Sequence, residues 1–233
     1  MDMDALKGFQ LSERFFDRGY EVFDDLLSPA YCASLAQQLG AAMEQDCILV
    51  DNDGVNIKTR NGEELIAGLL EIEQLYREVH LHMAAGIAHL LMLDDLPVAI
   101  SANYLCRDQG HSFRYHFDRN EYTAVLYLTD SPDLPLCIHP KIRTDPALGE
   151  SVWQYAKDAR DPVQVDPRPG RLVCFHARTS LHGVISRPDV ASTTDRISLQ
   201  FAFDTRHRSF EDQAYYGRAA AALAGSKAQQ DRP

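Results

Sequence analysis

Apolar residues recur along this chain in two rhythms, and one gives way to the other near residue 96. In the first part the spacing is helical. Ser28-Pro29 supplies an N-cap side chain and a first-turn proline, and Tyr31, Leu35, Leu39 and Met43 follow on one face. From Glu63 to about Met92 the apolar positions Leu65, Leu69, Ile72, Leu75, Val79, Met83, Ile87 and Leu91 stay roughly in phase, which predicts a long helix bent near Gly86. Ahead of these, residues 1–11 read as a loose lead-in or short helix, and the stretch from Phe15 to Leu27 turns at Gly19 and then alternates as a first strand. Residues 51–62 read as turns flanking a short strand.

Beyond Asp94-Asp95-Leu96-Pro97 the pattern changes to short apolar runs broken by Pro, Asp and Gly. Strands are expected near 98–106, 112–118, 122–129, 135–139, 163–165, 171–176, 181–186 and 195–204. Eight short strands so spaced suit a jelly roll. The chain is therefore expected to be mainly β with N-terminal helices on the outer face of one sheet. It reads as one domain over 1–233: a strand and packing helices in 1–95, a jelly-roll core in 96–205, and a helical piece and tail in 206–233.

Charge narrows the partners. Acidic residues outnumber basic ones by 34 to 23, for a net charge of -11. That disfavours nucleic acid or an anionic membrane as the main partner. No apolar run long enough for a leader or a membrane span is seen. The five cysteines form no CxxC and no paired framework, so reduced thiols and a cytoplasmic location are expected. Oligomeric state is not legible.

The candidate chemistry lies in the second half. In an extended chain, residues i and i+2 share a face, so His116 and Asp118 of Phe113-Arg114-Tyr115-His116-Phe117-Asp118 can address one point. A His and an Asp are two members of the two-His, one-carboxylate set that holds non-haem Fe(II). His182, at the start of the strand after Gly170-Arg171-Leu172-Val173-Cys174-Phe175-His176, is the candidate for the third. His139 and His176 are rivals, and His176 is expected beside the site. His80, His82 and His89 fall on the predicted helix, lack an i, i+4 partner, and read as packing or surface groups. In the last strand Arg196, Ser198 and Gln200 share one face while Ile197, Leu199, Phe201 and Phe203 share the other. Arg and Ser pointing together make a carboxylate clamp. Arg187 is a rival, disfavoured because Pro188 follows it. Lys141, Arg143 and Arg178 read as solvated charges, with a substrate carboxylate as the alternative partner, and Trp153 and Tyr155 as packing in a loop-rich insertion, with a substrate lid as the alternative.

Taken in order, Asn103-Tyr104, Gly110, His116-x-Asp118, Tyr127-Leu128, Gly170-Arg171-Leu172-Val173, Leu181-His182-Gly183-Val184 and Arg196-x-Ser198 resemble the Fe(II)- and 2-oxoglutarate-dependent dioxygenases. The texture is nearest the prolyl-hydroxylase-like and phytanoyl-CoA-hydroxylase-like members. The resemblance implies a double-stranded β-helix, with Fe(II) on His116, Asp118 and His182. It also implies Arg196 and Ser198 on the distal carboxylate of 2-oxoglutarate, with Tyr104 hydrogen-bonding the same co-substrate. O2 would be the oxidant and ascorbate a stimulant. Asp118 argues against halogenation, since halogenating relatives carry a small residue there. Two departures stand out. Arg196 follows the distal His at a longer interval than is usual, past 187–194, and Asp130-Ser131-Pro132-Asp133-Leu134-Pro135 replaces a Gly-Gly segment. The expected reaction is hydroxylation of an unactivated C–H bond of a small molecule, an amino acid or biosynthetic intermediate. The alternatives are a prolyl-type protein hydroxylase and a cupin-like metal protein that is not an oxygenase.

Overall fold

A computed structural model describes residues 6–45, 48–52, 55–62, 65, 68–93, 99–106, 111–143, 161–190 and 194–206. Its elements run α1 (Glu13–Arg18), β1 (Tyr20–Phe23), α2 (Pro29–Gln45), β2 (Ile48–Asn52), β3 (Val55–Asn61), α3 (Leu70–Ala84), β4 (Leu91–Met92), β5 (Ile100–Leu105), β6 (Ser112–His116), β7 (Tyr122–Tyr127), β8 (Leu136–His139), β9 (Val163–Val165), β10 (Leu172–Phe175), β11 (Leu181–Val184) and β12 (Arg196–Asp204). All eight strands expected after residue 96 are present, trimmed by a residue or two at their ends.

Local chemistry sets the helix ends. The Ser28 hydroxyl accepts the Tyr31 N–H at 3.2 Å, capping α2 as expected. Gly19 closes α1 in the left-handed region at φ 82°. The long helix expected over 63–92 is corrected: α3 stops at Ala84, His89 takes φ 59°, and Met92 pairs with Phe203 of β12. Tyr76 holds this turn in place. Its hydroxyl donates to Ala202 O and accepts from Leu93 N, both at 2.9 Å. Apolar phase cannot distinguish a helix's last turn from a short edge strand lying on the same core.

The strands form one hydrogen-bonded path, β1-β10-β7-β12-β5-β3-β6-β11-β8-β9, with β2 on β3 and β4 on β12. Directly opposed residues of antiparallel strands share a face, so the registers sort the side chains. In β12, Leu199, Phe201 and Phe203 join Ala102, Ala124, Leu126 and Leu172 in a core closed by α2 and α3 through Leu35, Leu39, Ile72, Val79 and Met83. The other face carries Val125, Tyr127, Val173 and Phe175, which meet Leu136, Ile138 and Val165 from the far half of the path. The path therefore folds back over itself into a double-stranded β-helix, one wall lined by helices and the two walls facing each other across an interior.

Candidate metal centre

The site begins with a strand irregularity. His182 of β11 pairs with His116 of β6, yet the next pair is Val184 with Phe113, three residues of β6 against two of β11. This bulge lets His116 and Phe113 both face the interior. It also brings the β6 backbone close to Gly183. A Cβ there would lie 2.8 Å from Phe113 O and 3.0 Å from Arg114 C, so only glycine fits. The His116 and His182 rings end 4.3 Å apart, centroid to centroid.

Asp118 arrives differently from the sequence expectation. β6 ends at His116, and Asp118 lies in the following loop, its N–H 3.3 Å from Ala177 O. Its Oδ1 still reaches 3.3 Å from His116 Nε2 and 3.4 Å from His182 Nε2. One ligand atom from each of the three residues lies within 4.8 Å of the other two.

Hydrogen bonds fix which ring nitrogens face inward. His116 Nδ1 is 2.9 Å from Arg114 O, and His182 Nδ1 is 2.9 Å from Ser180 O. A carbonyl only accepts, so each Nδ1 carries the proton and each Nε2 presents a lone pair. Two imidazole lone pairs and a carboxylate oxygen thus converge with nothing positive among them, an arrangement that calls for a cation. Burial disfavours imidazolium at His182, but the Asp118 charge outweighs it and raises that pKa. Burial and the neighbouring His182 charge lower that of His116. Burial also opposes ionisation of Asp118, yet His182 and the His116 hydrogen bond hold its carboxyl well below the usual range.

A second set of polar atoms lies in the same interior. Arg196, Ser198 and Asn103 line a small cavity, partly open to solvent, together with His116, His182 and Phe113. The Arg196 guanidinium carbon is 5.1 Å from the centre of the Tyr127 ring. Arg196 Nε, Ser198 Oγ and Tyr127 Oη are all buried without a hydrogen-bond partner. Three donors unpaired in one place are unusual in a folded interior, and they match the acceptors of a carboxylate. Tyr127 is not among the residues the sequence singles out for this interior. Its strand reads Ala-Val-Leu-Tyr-Leu, apolar on both faces, and only its pairing with Ser198 assigns it to the interior.

Other candidates lie elsewhere. Tyr104 is corrected: it stands between the cavity-lining Asn103 and Leu105, so its side chain points to the opposite face, where its hydroxyl bonds Asp195 Oδ2 at 2.5 Å. Arg187 bonds Asp166 at 2.5 Å and the Pro132 carbonyl, away from the cavity. His139 pairs with Leu181 beside His182, so it takes the outer face, against Tyr115. His176 is also corrected: it turns to the helix-covered face and stacks on Phe15 at 4.8 Å. Burial, with Lys141 nearby, pushes its pKa down to about 4. His80 bonds Leu90 O, and His82 packs on Phe9. Lys141 Nζ bonds Phe16 O, Arg143 lies over the Phe117 ring, and Arg178 bonds Arg119 O. Trp153, Tyr155 and the helical piece expected after residue 206 fall outside the described residues.

The sequence matches no protein-family model and no curated protein. Solved structures with this fold do exist. A Pseudomonas putida prolyl-4-hydroxylase is 17% identical at TM-score 0.55, over 84% of this chain and 97% of that one. The non-heme alpha ketoglutarate dependent epimerase SnoN from nogalamycin biosynthesis is 16% identical at TM-score 0.61, over 82% and 80%. HygX from Streptomyces hygroscopicus, solved with nickel and 2-oxoglutarate bound, is 13% identical at TM-score 0.59, over 84% and 87%. The chain shares their fold, as the strand pattern and the resemblance lead one to expect.

Proposed function

We propose that this chain is a non-haem Fe(II)- and 2-oxoglutarate-dependent dioxygenase that oxidises an unactivated C–H bond of a small molecule. The observation that carries the reading is that His116 and His182 line one cavity together with Arg196 and Ser198. His116, Asp118 and His182 offer two nitrogens and an oxygen, the donor set suited to Fe(II) with positions left open. Arg196, Ser198 and Tyr127 offer unpaired donors suited to a carboxylate. A metal protein that is not an oxygenase has no use for the second set.

When bound, the iron supplies the coupling of O2 to oxidative decarboxylation of 2-oxoglutarate, yielding succinate and CO2. The protein's share is placement. The two Nε2 atoms and Asp118 Oδ1 would hold the metal, the Nδ1 protons of His116 and His182 being tied to Arg114 O and Ser180 O. Arg196 grips the far carboxylate of the co-substrate, while the Ser198 and Tyr127 hydroxyls donate to it. Phe113, Val125, Leu136 and Phe175 keep the walls of the cavity apolar, which strengthens these charged contacts.

A small substrate, an amino acid or biosynthetic intermediate, is favoured over a protein. SnoN was solved with nogalamycin RO and HygX with hygromycin B, although prolyl hydroxylases share the fold. We assign the whole chain to one dioxygenase domain and place it in the cytoplasm, in keeping with the free Cys32, Cys106, Cys137 and Cys174. No helix among the described residues is long and apolar enough to cross a membrane.

The test is succinate release. Protein with Fe(II), ascorbate and 2-oxoglutarate is expected to release succinate slowly alone and faster with a matching metabolite. Arg196→Ala and His116→Ala should each remove the activity. No succinate from wild type across a broad metabolite panel, and no metal-dependent binding of 2-oxoglutarate, would overturn the reading.

A further inference from the structure

The two carboxylate oxygens of Asp118 have different surroundings. Oδ1 faces both imidazole nitrogens. Oδ2 accepts a hydrogen bond from Thr123 Oγ1 at 2.6 Å. Thr123 lies on β7, 1% exposed, on the same face as Val125 and Tyr127.

A third residue fixes the direction of that bond. Asn120 is 5% exposed, and its Nδ2 lies 2.6 Å from Tyr122 O and 2.8 Å from Thr123 Oγ1. The carbonyl of Tyr122 only accepts, so the Asn120 group facing it is the NH2 end. Its other proton goes to Thr123 Oγ1. The threonine hydroxyl has one proton, and a carboxylate only accepts, so that proton goes to Asp118 Oδ2. Asn120 to Thr123 to Asp118 is an oriented relay ending on a charged acceptor, the stronger kind of hydrogen bond.

We propose that Thr123, oriented by Asn120, is a positioning residue that holds Asp118 as a one-oxygen metal ligand. The inference rests on the proposed function and deepens it. A carboxylate free to turn can give a metal one oxygen or two. A second oxygen would occupy a position that the co-substrate and O2 need. The Thr123 hydroxyl keeps Oδ2 occupied, leaving Oδ1 to the metal, and its place on a strand of the sheet makes the geometry rigid. Nothing in the HxD spacing signals this residue.

The test uses the full chain and Co(II), titrated anaerobically and followed by its visible absorption and by calorimetry. Two isosteric pairs isolate the hydroxyl: wild type against Thr123→Val, and Thr123→Ser against Thr123→Ala. In each pair the variant lacking the hydroxyl is expected to bind Co(II) about 10- to 100-fold more weakly, with an altered absorption band. Thr123→Ser should track wild type. If Thr123→Val does not fold, the Ser and Ala pair decides. Equal Co(II) affinity within about twofold in a folded pair overturns the inference while leaving the oxygenase reading standing. Failure of wild type to bind Co(II) or Fe(II) overturns both.

Discussion

Ser198 stands directly opposite Tyr127 across the β12–β7 ladder, and both hydroxyls are buried without a partner beside the Arg196 guanidinium. A buried polar group left unpaired costs about 1–3 kcal/mol. The fold tolerates this at three atoms in one place, which fits a pocket whose partner comes from outside.

Tyr127→Phe should therefore move two quantities in opposite directions. The ligand-free protein gains about 1 kcal/mol, read as a higher melting temperature. Affinity for 2-oxoglutarate in the presence of metal falls about 10-fold or more, since a hydrogen bond to a charged group is worth about 1.5–3 kcal/mol. A variant that is less stable and binds 2-oxoglutarate normally would show that Tyr127 is only packing.

Arg196 and Arg187 separate cleanly. Arg196→Ala is expected to abolish measurable 2-oxoglutarate binding. Arg187→Ala removes an ion pair to Asp166 and a bond to the Pro132 carbonyl. It should leave co-substrate affinity within about twofold, at a small cost in stability of about 1 kcal/mol. The reverse ranking by calorimetry would move the clamp to the loop.

Gly183→Ala should cost about 1–3 kcal/mol, because the new methyl meets the Phe113 carbonyl at 2.8 Å. It should also weaken metal binding by forcing β11 from β6 and parting the two histidines. Gly40→Ala in α2 is the control. Nothing lies within 4 Å of that position, and a helical glycine replaced by alanine gains about 0.5–1 kcal/mol. Thermal unfolding of the two variants is expected to shift in opposite directions.

Acid sensitivity is expected from His176. Its pKa falls from the ordinary 6.5 to about 4 in the folded protein, so between these values the unfolded chain binds more protons than the native one. Stability from this group is full above pH 6.5 and is lost as pH falls toward 4. His176→Phe keeps the stacking on Phe15 and removes the titration, so its stability should change less with pH across that window. Parallel denaturant curves for the two proteins at pH 7 and pH 5 decide the matter. Equal losses would place the acid sensitivity elsewhere.

The walls of this protein were largely legible, because alternation in β12 assigns Arg196 and Ser198 to one face and Leu199 and Phe201 to the other without any coordinates. Where a strand is apolar throughout, that logic fails. Tyr127 and Thr123 lie on such a strand, and their role depends on which neighbour pairs with it. Tyr104 went astray for a related reason: an Asn-Tyr pair offers two side chains one residue apart, and the ladder with Ile197 decides which faces inward. Asp118 was found through a spacing argument that presumed a strand, although a loop anchored to Ala177 delivers it. β4 hid inside a helical rhythm, since Leu91 and Met92 lie on the same apolar core as the helix before them.

β3 pairs with β5 through its C-terminal half and with β6 through its N-terminal half, whereas, among the described residues, β1 and β9 end the path and share no ladder. The vessel is therefore zipped along one seam and unzipped along the other. Amide protons of β5 and β6 should exchange slowly with solvent, and those on the outer edges of β1 and β9, which pair with no further strand among the described residues, quickly, so thermal breathing is expected on the side away from β3.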